Sequence, residues 1–193
     1  DTFKDNFMLV ERFAQNPIIK PSDIIPSRED YEVVCAFNPG VTTFDGQTLL
    51  LLRVAEKPRE RQPYQEIAPV YNPSAKNIQL IHASHGDPEL ELLDSRGFRY
   101  KGQTYLTSIS HLRIARSSDG VNFTIDPEPA LFPTTDYETF GLEDPRITKI
   151  DTNYYITYKA VSENAICTAL AKTKDFKKFE RMGIIFCPEN LDV

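Results

Sequence analysis

Cysteine is scarce, long apolar runs are missing and positive charge is outnumbered, and each shortage removes a class of protein. The three cysteines, at positions 35, 167 and 187, are odd in number and lack metal-ligand spacing. Neither a disulfide framework nor a structural zinc site is expected from them, and their apolar surroundings read as reduced core positions. No stretch is long and apolar enough to cross a bilayer as a helix, and the first residues lack the basic and apolar regions of a signal peptide. A cytoplasmic chain is therefore expected. The net charge of −6 argues against nucleic acid and anionic membrane as partners. The basic cluster from Lys172 to Lys178 is interleaved with apolar residues and reads as a solvated strand edge or turn.

What the chain does contain is material for strands and turns. Fourteen prolines, nine tyrosines and twelve phenylalanines among 193 residues favour short β-elements over long helices, in a chain long enough to bury a core. Phe3 to Phe13 is a short amphipathic stretch that suits a strand or one helical turn. Prolines 17, 21 and 26 then make an extended segment along the surface. An apolar run from Glu32 to Phe37 is interrupted by Asn38-Pro39-Gly40 and resumes over Val41 to Phe44; Asp45-Gly46 is a hairpin turn, and Gln47 to Val54 returns as a second strand. Arg53 closes that apolar run, where a guanidinium needs either a partner or a solvated rim.

Residues 57–100 read as an inserted hairpin or long loop that covers a binding face, with strands at Ile78 to Ile81 and Leu90 to Leu93. His82, His85 and Asp87 lie close together there. Without a further run of ligands they read as loop polarity, and no metal site is assigned.

From Phe98 the organisation repeats. Gly102 to Ser108 echoes Gly46 to Leu52, and both resemble Thr152 to Tyr158; Ile114 to Phe123 matches Leu170 to Phe179. The period of roughly 50 to 56 residues suits the four-stranded blade of a β-propeller. The aromatic residues of the repeat are expected in the core between blades. At that period the chain holds roughly three to three and a half blades, fewer than closure requires, so a single incomplete propeller domain over 1–193 is expected.

The densest concentration of candidate chemistry is Gly141-Leu142-Glu143-Asp144-Pro145-Arg146-Ile147. Pro145 disfavours the α region for Asp144, so an extended backbone is expected there. Successive strand residues point to opposite faces. Glu143 and Asp144 should then diverge, one facing a cavity and the other bracing the backbone or pairing with Arg146.

Asn38-Pro39-Gly40, Arg53 fifteen residues later, Ser110 to Ser117, and Gly141 to Ile147 together resemble glycoside hydrolase family 130. That family comprises inverting β-mannoside phosphorylases and some β-mannosidases. The resemblance covers nearly the whole chain outside 57–97 and implies an all-β, five-bladed β-propeller completed by further chain. It implies that Asp144 is the proton donor to the glycosidic oxygen, the proton passing in the phosphorylases through a hydroxyl of the bound mannose. Asn38 and Arg53 match residues that hold the mannosyl unit, and His111 and Glu143 fall where they line the same pocket. No cofactor is implied, although inorganic phosphate is the co-substrate of a phosphorylase; the cluster that holds it falls mostly beyond residue 193. The implied partner is a manno-oligosaccharide, and a homo-oligomer is compatible. The expected activity is inverting phosphorolysis of a β-mannoside to α-mannose 1-phosphate, with hydrolysis by water or non-catalytic sugar binding as the alternatives.

Overall fold

In the computed structural model, residues 13–188 are described. The stretch Phe3 to Phe13 thus lies outside them apart from its last residue. Asp45 and Gly46 take φ values of 50° and 72°, the left-handed pair that a two-residue type I′ turn demands. They join β1 (Tyr31–Phe44) to β2 (Gln47–Pro58) as an antiparallel hairpin. The insertion follows as two small sheets: β3 (Gln65–Asn72) with β4 (Asn77–Ser84), and β5 (Leu90–Asp94), β6 (Gly97–Tyr100) and β7 (Gln103–Leu106). The chain then re-enters the main sheet as β8 (Ile109–Ser117), which pairs with β2 on one side and with β9 (Thr124–Ile125) on the other. A second meander follows, β10 (Gly141–Ile150), β11 (Asn153–Val161), β12 (Ile166–Thr173) and β13 (Phe179–Phe186), each strand antiparallel to the one before. Short 3₁₀ turns at Pro21–Asp23 and Asp136–Glu138 complete the described residues, which contain no α-helix.

The two meanders meet at one parallel contact, Gly141 of β10 beside Ser110 of β8. A Cβ on Gly141 would stand 2.3 Å from the Ser110 carbonyl oxygen, and φ is +124°, so this approach is open to glycine alone. Leu49 and Leu51 of β2, Leu112 and Ile114 of β8, and Ile156, Tyr158, Ala169 and Ala171 of the second meander form the principal core. The other face of β2 is buried too, through Leu50, Leu52 and Val54 packed with Ile24 and Ala115. Burial on both faces explains why Leu49 to Leu52 is continuously apolar rather than alternating.

The repeated sequences become matching turns. Ser117 Oγ accepts the amides of Asp119 and Gly120 at 3.2 and 2.9 Å, while Asp119 Oδ1 accepts those of Val121 and Asn122. Thr173 and Asp175 do the same for Asp175 and Phe176, and for Lys177 and Lys178. Two four-stranded meanders form among the described residues, fewer than the repeat count implied. Gly102 to Ser108 shares the turn chemistry of the hairpins, with Lys101 and Gly102 at positive φ, but pairs within the insertion's own sheet. Of the cysteines, only Cys167 is buried. The register shift between Val33 and Cys35 turns Cys35 outward, and Cys187 lies beyond the last strand.

Candidate active site

Strands β1 and β10 each break register at an Asx-Pro step, between Phe37 and Gly40 and between Glu143 and Arg146. Asn38 and Asp144 adopt φ of 45° and 48°. The expected extended backbone at Asp144 is therefore not found. A bulge has to place its extra residue somewhere, and Asn and Asp are the L-residues that best tolerate the left-handed region. The turn of the backbone also cancels the expected divergence of the two acids, because both now reach one guanidinium.

Arg53 is that guanidinium. Its Nη1 donates to Asp144 Oδ1 at 3.0 Å and its Nη2 donates to Glu143 Oε1. Asn38 Nδ2 donates to the same Asp144 oxygen at 2.9 Å. Gly40 lets the two bulges close on each other, since a Cβ there would lie 2.9 Å from the Pro145 carbonyl oxygen. Residues separated by about a hundred positions thus form one cluster, and the need of Arg53 for a partner is met by the two acids.

Three further groups support the cluster. Phe37 lies under the Arg53 guanidinium, 4.5 Å from ring centroid to Cζ, and Ser110 Oγ accepts from Arg53 Nε at 3.4 Å. Lys159 stands opposite Glu143 across the β10–β11 ladder, and its Nζ is 3.7 Å from Asp144 Oδ2. Two carboxylates therefore face two cations. Lys159 was legible in part: counting back from the Asp151 turn places it across from Asp144, and the bulge between Glu143 and Arg146 shifts it by one residue to Glu143.

The environment drives the two carboxyls apart. Burial raises the Glu143 pKa, as does the neighbouring Asp144 charge, against the pull of Arg53 and Lys159. Burial also pushes Asp144 up, but hydrogen bonds from Asn38 and Arg53, with the charges of Arg53 and Lys159, outweigh it and hold that carboxyl below its ordinary value. The Asp144 side chain is the more accessible, 28% exposed against 15% for Glu143. Such a pair holds one carboxylate charged at the surface of the site and another, harder to ionise, behind it.

The structure does not bring His111 to this cluster. In the unbroken β2–β8 register His111 pairs with Val54 and Leu112 pairs with Arg53, so His111 points to the opposite face of the sheet. There it is fully buried, with Nε2 3.1 Å from Glu56 Oε1 and its ring beside Phe132. Burial lowers its pKa, with Arg113 reinforcing and Glu56 opposing the effect. Arg146 is exposed and makes no ion pair among the described residues, so it orients neither acid. His85 contacts Glu66 at 2.8 Å, and among the described residues no group of three His, Cys, Asp or Glu is arranged to hold a metal ion.

Residues 60–191 match the glycoside hydrolase 130 family, described as beta-1,4-mannooligosaccharide phosphorylase. A beta-1,2-mannobiose phosphorylase of Listeria innocua is 46% identical over 190 residues, which are 96% of this chain and 54% of that protein. A 1,2-beta-oligomannan phosphorylase of Thermoanaerobacter sp. is 39% identical over 89 residues, 44% of this chain and 29% of that protein. The solved Listeria innocua enzyme, in complex with beta-1,2-mannobiose, superposes with a TM-score of 0.88 over 94% of this chain and 52% of its own. The chain thus spans about half of that relative's length. A Parabacteroides distasonis protein at 24% identity shares the fold, with a TM-score of 0.58 over 91% of this chain and 41% of its own. The chain belongs to glycoside hydrolase family 130.

Proposed function

We propose that this chain carries the catalytic acid and part of the sugar site of an inverting β-mannoside phosphorylase, completed by further chain into a five-bladed propeller. The convergence of Asn38, Arg53, Glu143 and Asp144 carries the reading. Phosphate attacks the anomeric carbon as the glycosidic C–O bond breaks, the leaving oxygen takes a proton, and α-mannose 1-phosphate results. No catalytic base is needed when the nucleophile is already an anion. Asp144 is the accessible acid. In the free site it is ionised, so it serves as the acid only after taking a proton from solvent as the sugar binds, when a mannosyl hydroxyl replaces the Asn38 or Arg53 contact that holds its charge. That proton then passes through the hydroxyl to the leaving oxygen, and Asp144 returns to the carboxylate. Glu143, whose pKa is raised, stays beside Arg53 and keeps that cation between the two acids. Identity to the Listeria innocua relative favours the β-1,2 linkage. A cytoplasmic setting is part of the same proposal.

The test is a product assay on the full-length polypeptide with β-1,2- and β-1,4-mannobiose, with and without phosphate. Phosphate-dependent mannose 1-phosphate from the β-1,2 substrate is expected. Asp144→Asn should lower kcat by about 10²- to 10⁴-fold, the usual scale for a general acid. Glu143→Gln should cost less in kcat and more in KM. Free mannose irrespective of phosphate would establish hydrolysis instead, and undiminished turnover by Asp144→Asn would refute the assignment of the acid.

A further inference from the structure

Alternation along β11 buries Tyr154, Ile156, Tyr158 and Ala160 in the core and turns Tyr155, Thr157 and Lys159 to the other face, where Glu143 is the ladder partner of Lys159. A lysine on a half-exposed strand face ordinarily extends its ammonium into water. Here the side chain bends towards the acids, with Nζ 3.7 Å from Asp144 Oδ2, its one ion pair among the described residues. At that separation it is a charge contact and not a hydrogen bond, so it favours the carboxylate form of Asp144 without fixing where that side chain points.

The second cation of the site is held differently. Arg53 Nε donates to Ser110 Oγ at 3.4 Å, its two terminal nitrogens donate to Asp144 and Glu143, and Phe37 lies beneath the guanidinium. A planar fork engaged on every edge stays between the acids. Lys159 has a flexible four-carbon stem, and its side chain is 35% exposed against 17% for Arg53. Directly opposite strand residues have Cβ atoms about 4.5–5.5 Å apart, so a change of rotamer carries the ammonium from Asp144 to Glu143. Among the described residues no third acid competes for it. Asn38 reaches Asp144 from β1, Ser110 faces Arg53 from β8, Arg146 is exposed without an ion pair, and the β12 partner of Lys159 is the uncharged Thr168. The charge of Lys159 also pulls down the ionisation of both acids, Asp144 and Glu143.

We propose that Lys159 is a movable counter-charge for the acid pair: it sits on Asp144 in the free site, moves to Glu143 when the sugar binds, and returns as Asp144 gives up its proton. The inference rests on the mannoside-cleaving reading of this site. As the ammonium leaves, Asp144 takes one proton from solvent. As that proton passes on through the mannosyl hydroxyl to the leaving oxygen, the returning ammonium stabilises the carboxylate that re-forms. Lys159 thus acts through Asp144 and touches neither the sugar nor the phosphate.

The experiment compares full-length Lys159→Met and Lys159→Arg with wild type, following phosphate-dependent release of mannose 1-phosphate from β-1,2-mannobiose across pH, with circular dichroism to verify folding. Without the ammonium, the ionisation of Asp144 seen in kcat/KM should move up by about one pH unit, the lower end of the range for an opposite charge within about 4–6 Å because Lys159 is partly exposed. Protonation on binding then costs less, so Lys159→Met should lower KM by about tenfold near neutral pH, while kcat falls severalfold as the transition state loses its counter-charge. Lys159→Arg keeps the charge and should stay close to wild type in both. A KM raised or unchanged in Lys159→Met, with the ionisation in kcat/KM unmoved, would overturn the proposal and make Lys159 a sugar ligand or a structural residue. If wild type yields no mannose 1-phosphate from any mannoside, the functional reading fails by itself. Carbon-13 titration of the Asp144 carboxyl, identified by its loss in Asp144→Asn, then tests the counter-charge independently: ionisation at higher pH in Lys159→Met supports it and an unchanged titration overturns it.

Discussion

Replacing Gly40 by alanine perturbs the candidate site without touching any of its polar groups. The added Cβ would stand 2.9 Å from the Pro145 carbonyl oxygen and 3.0 Å from Ile147 Cγ1. Restoring ordinary van der Waals separation requires β1 and β10 to part by roughly 0.5 Å. The 2.9 Å hydrogen bond from Asn38 to Asp144 crosses the same gap, and that displacement takes it beyond the usual range for N–H···O bonds. A hydrogen bond to a charged group contributes about 1.5–3 kcal/mol net, which corresponds to roughly a ten- to hundredfold fall in kcat/KM if the bond positions Asp144 for the reaction. The pH profile supplies a second readout. Asn38 is among the groups that hold the Asp144 carboxyl low, so its withdrawal should move the Asp144 ionisation to higher pH. The assay is kcat/KM against pH for full-length Gly40→Ala and wild type, with circular dichroism to verify folding. A folded variant within about twofold of wild type, with an unmoved pH profile, would refute the claim that this close approach positions Asp144.

Two further outcomes concern stability. Burial depresses the His111 pKa from 6.5, so the unfolded chain takes up a proton as pH falls through about 6.5 while the folded chain does not. Stability should therefore decline below that pH, by up to about 1.4 kcal/mol per unit. Urea unfolding from pH 7.5 to 5.5 should show this slope in wild type and a flatter one in His111→Gln; equal slopes would contradict it. The matching turns should also respond alike. Ser117→Ala and Thr173→Ala each remove an acceptor for two main-chain amides and should each cost about 1 kcal/mol in chemical denaturation.

Local chemistry was read well from sequence, and long-range pairing less well. The Asp45-Gly46 turn follows from dihedral preference alone, and the demand of Arg53 for a partner follows from its apolar strand. The family resemblance put Arg53 and Glu143 in one pocket, but that Arg53 pairs with both Glu143 and Asp144 came only with the structure, since no local rule links positions 90 residues apart. His111 was misplaced because proximity in a motif does not reveal which face of a strand a side chain occupies. The register against β2 decides that, and β2 is separated from β8 by the whole insertion. The blade count failed for a related reason: Gly102 to Ser108 carries the same turn signature as the other hairpins, and a turn signature does not say which sheet its strands join. At Asp144 the local proline preference lost to the bulge, whose geometry is set by the facing Asn38-Pro39-Gly40 segment.

The seam at Gly141 and Ser110 has a mechanical consequence. Ser110 touches the Gly141 backbone on one side and receives the Arg53 side chain on the other, while Glu143 begins two residues beyond Gly141. Any sliding of one meander against the other must therefore pass through the residues that hold the two acids. The acid pair is assembled at the joint itself, so stiffness of the joint and alignment of the acids are one property. Substitutions that loosen the seam should appear first as lost turnover, before any loss of fold.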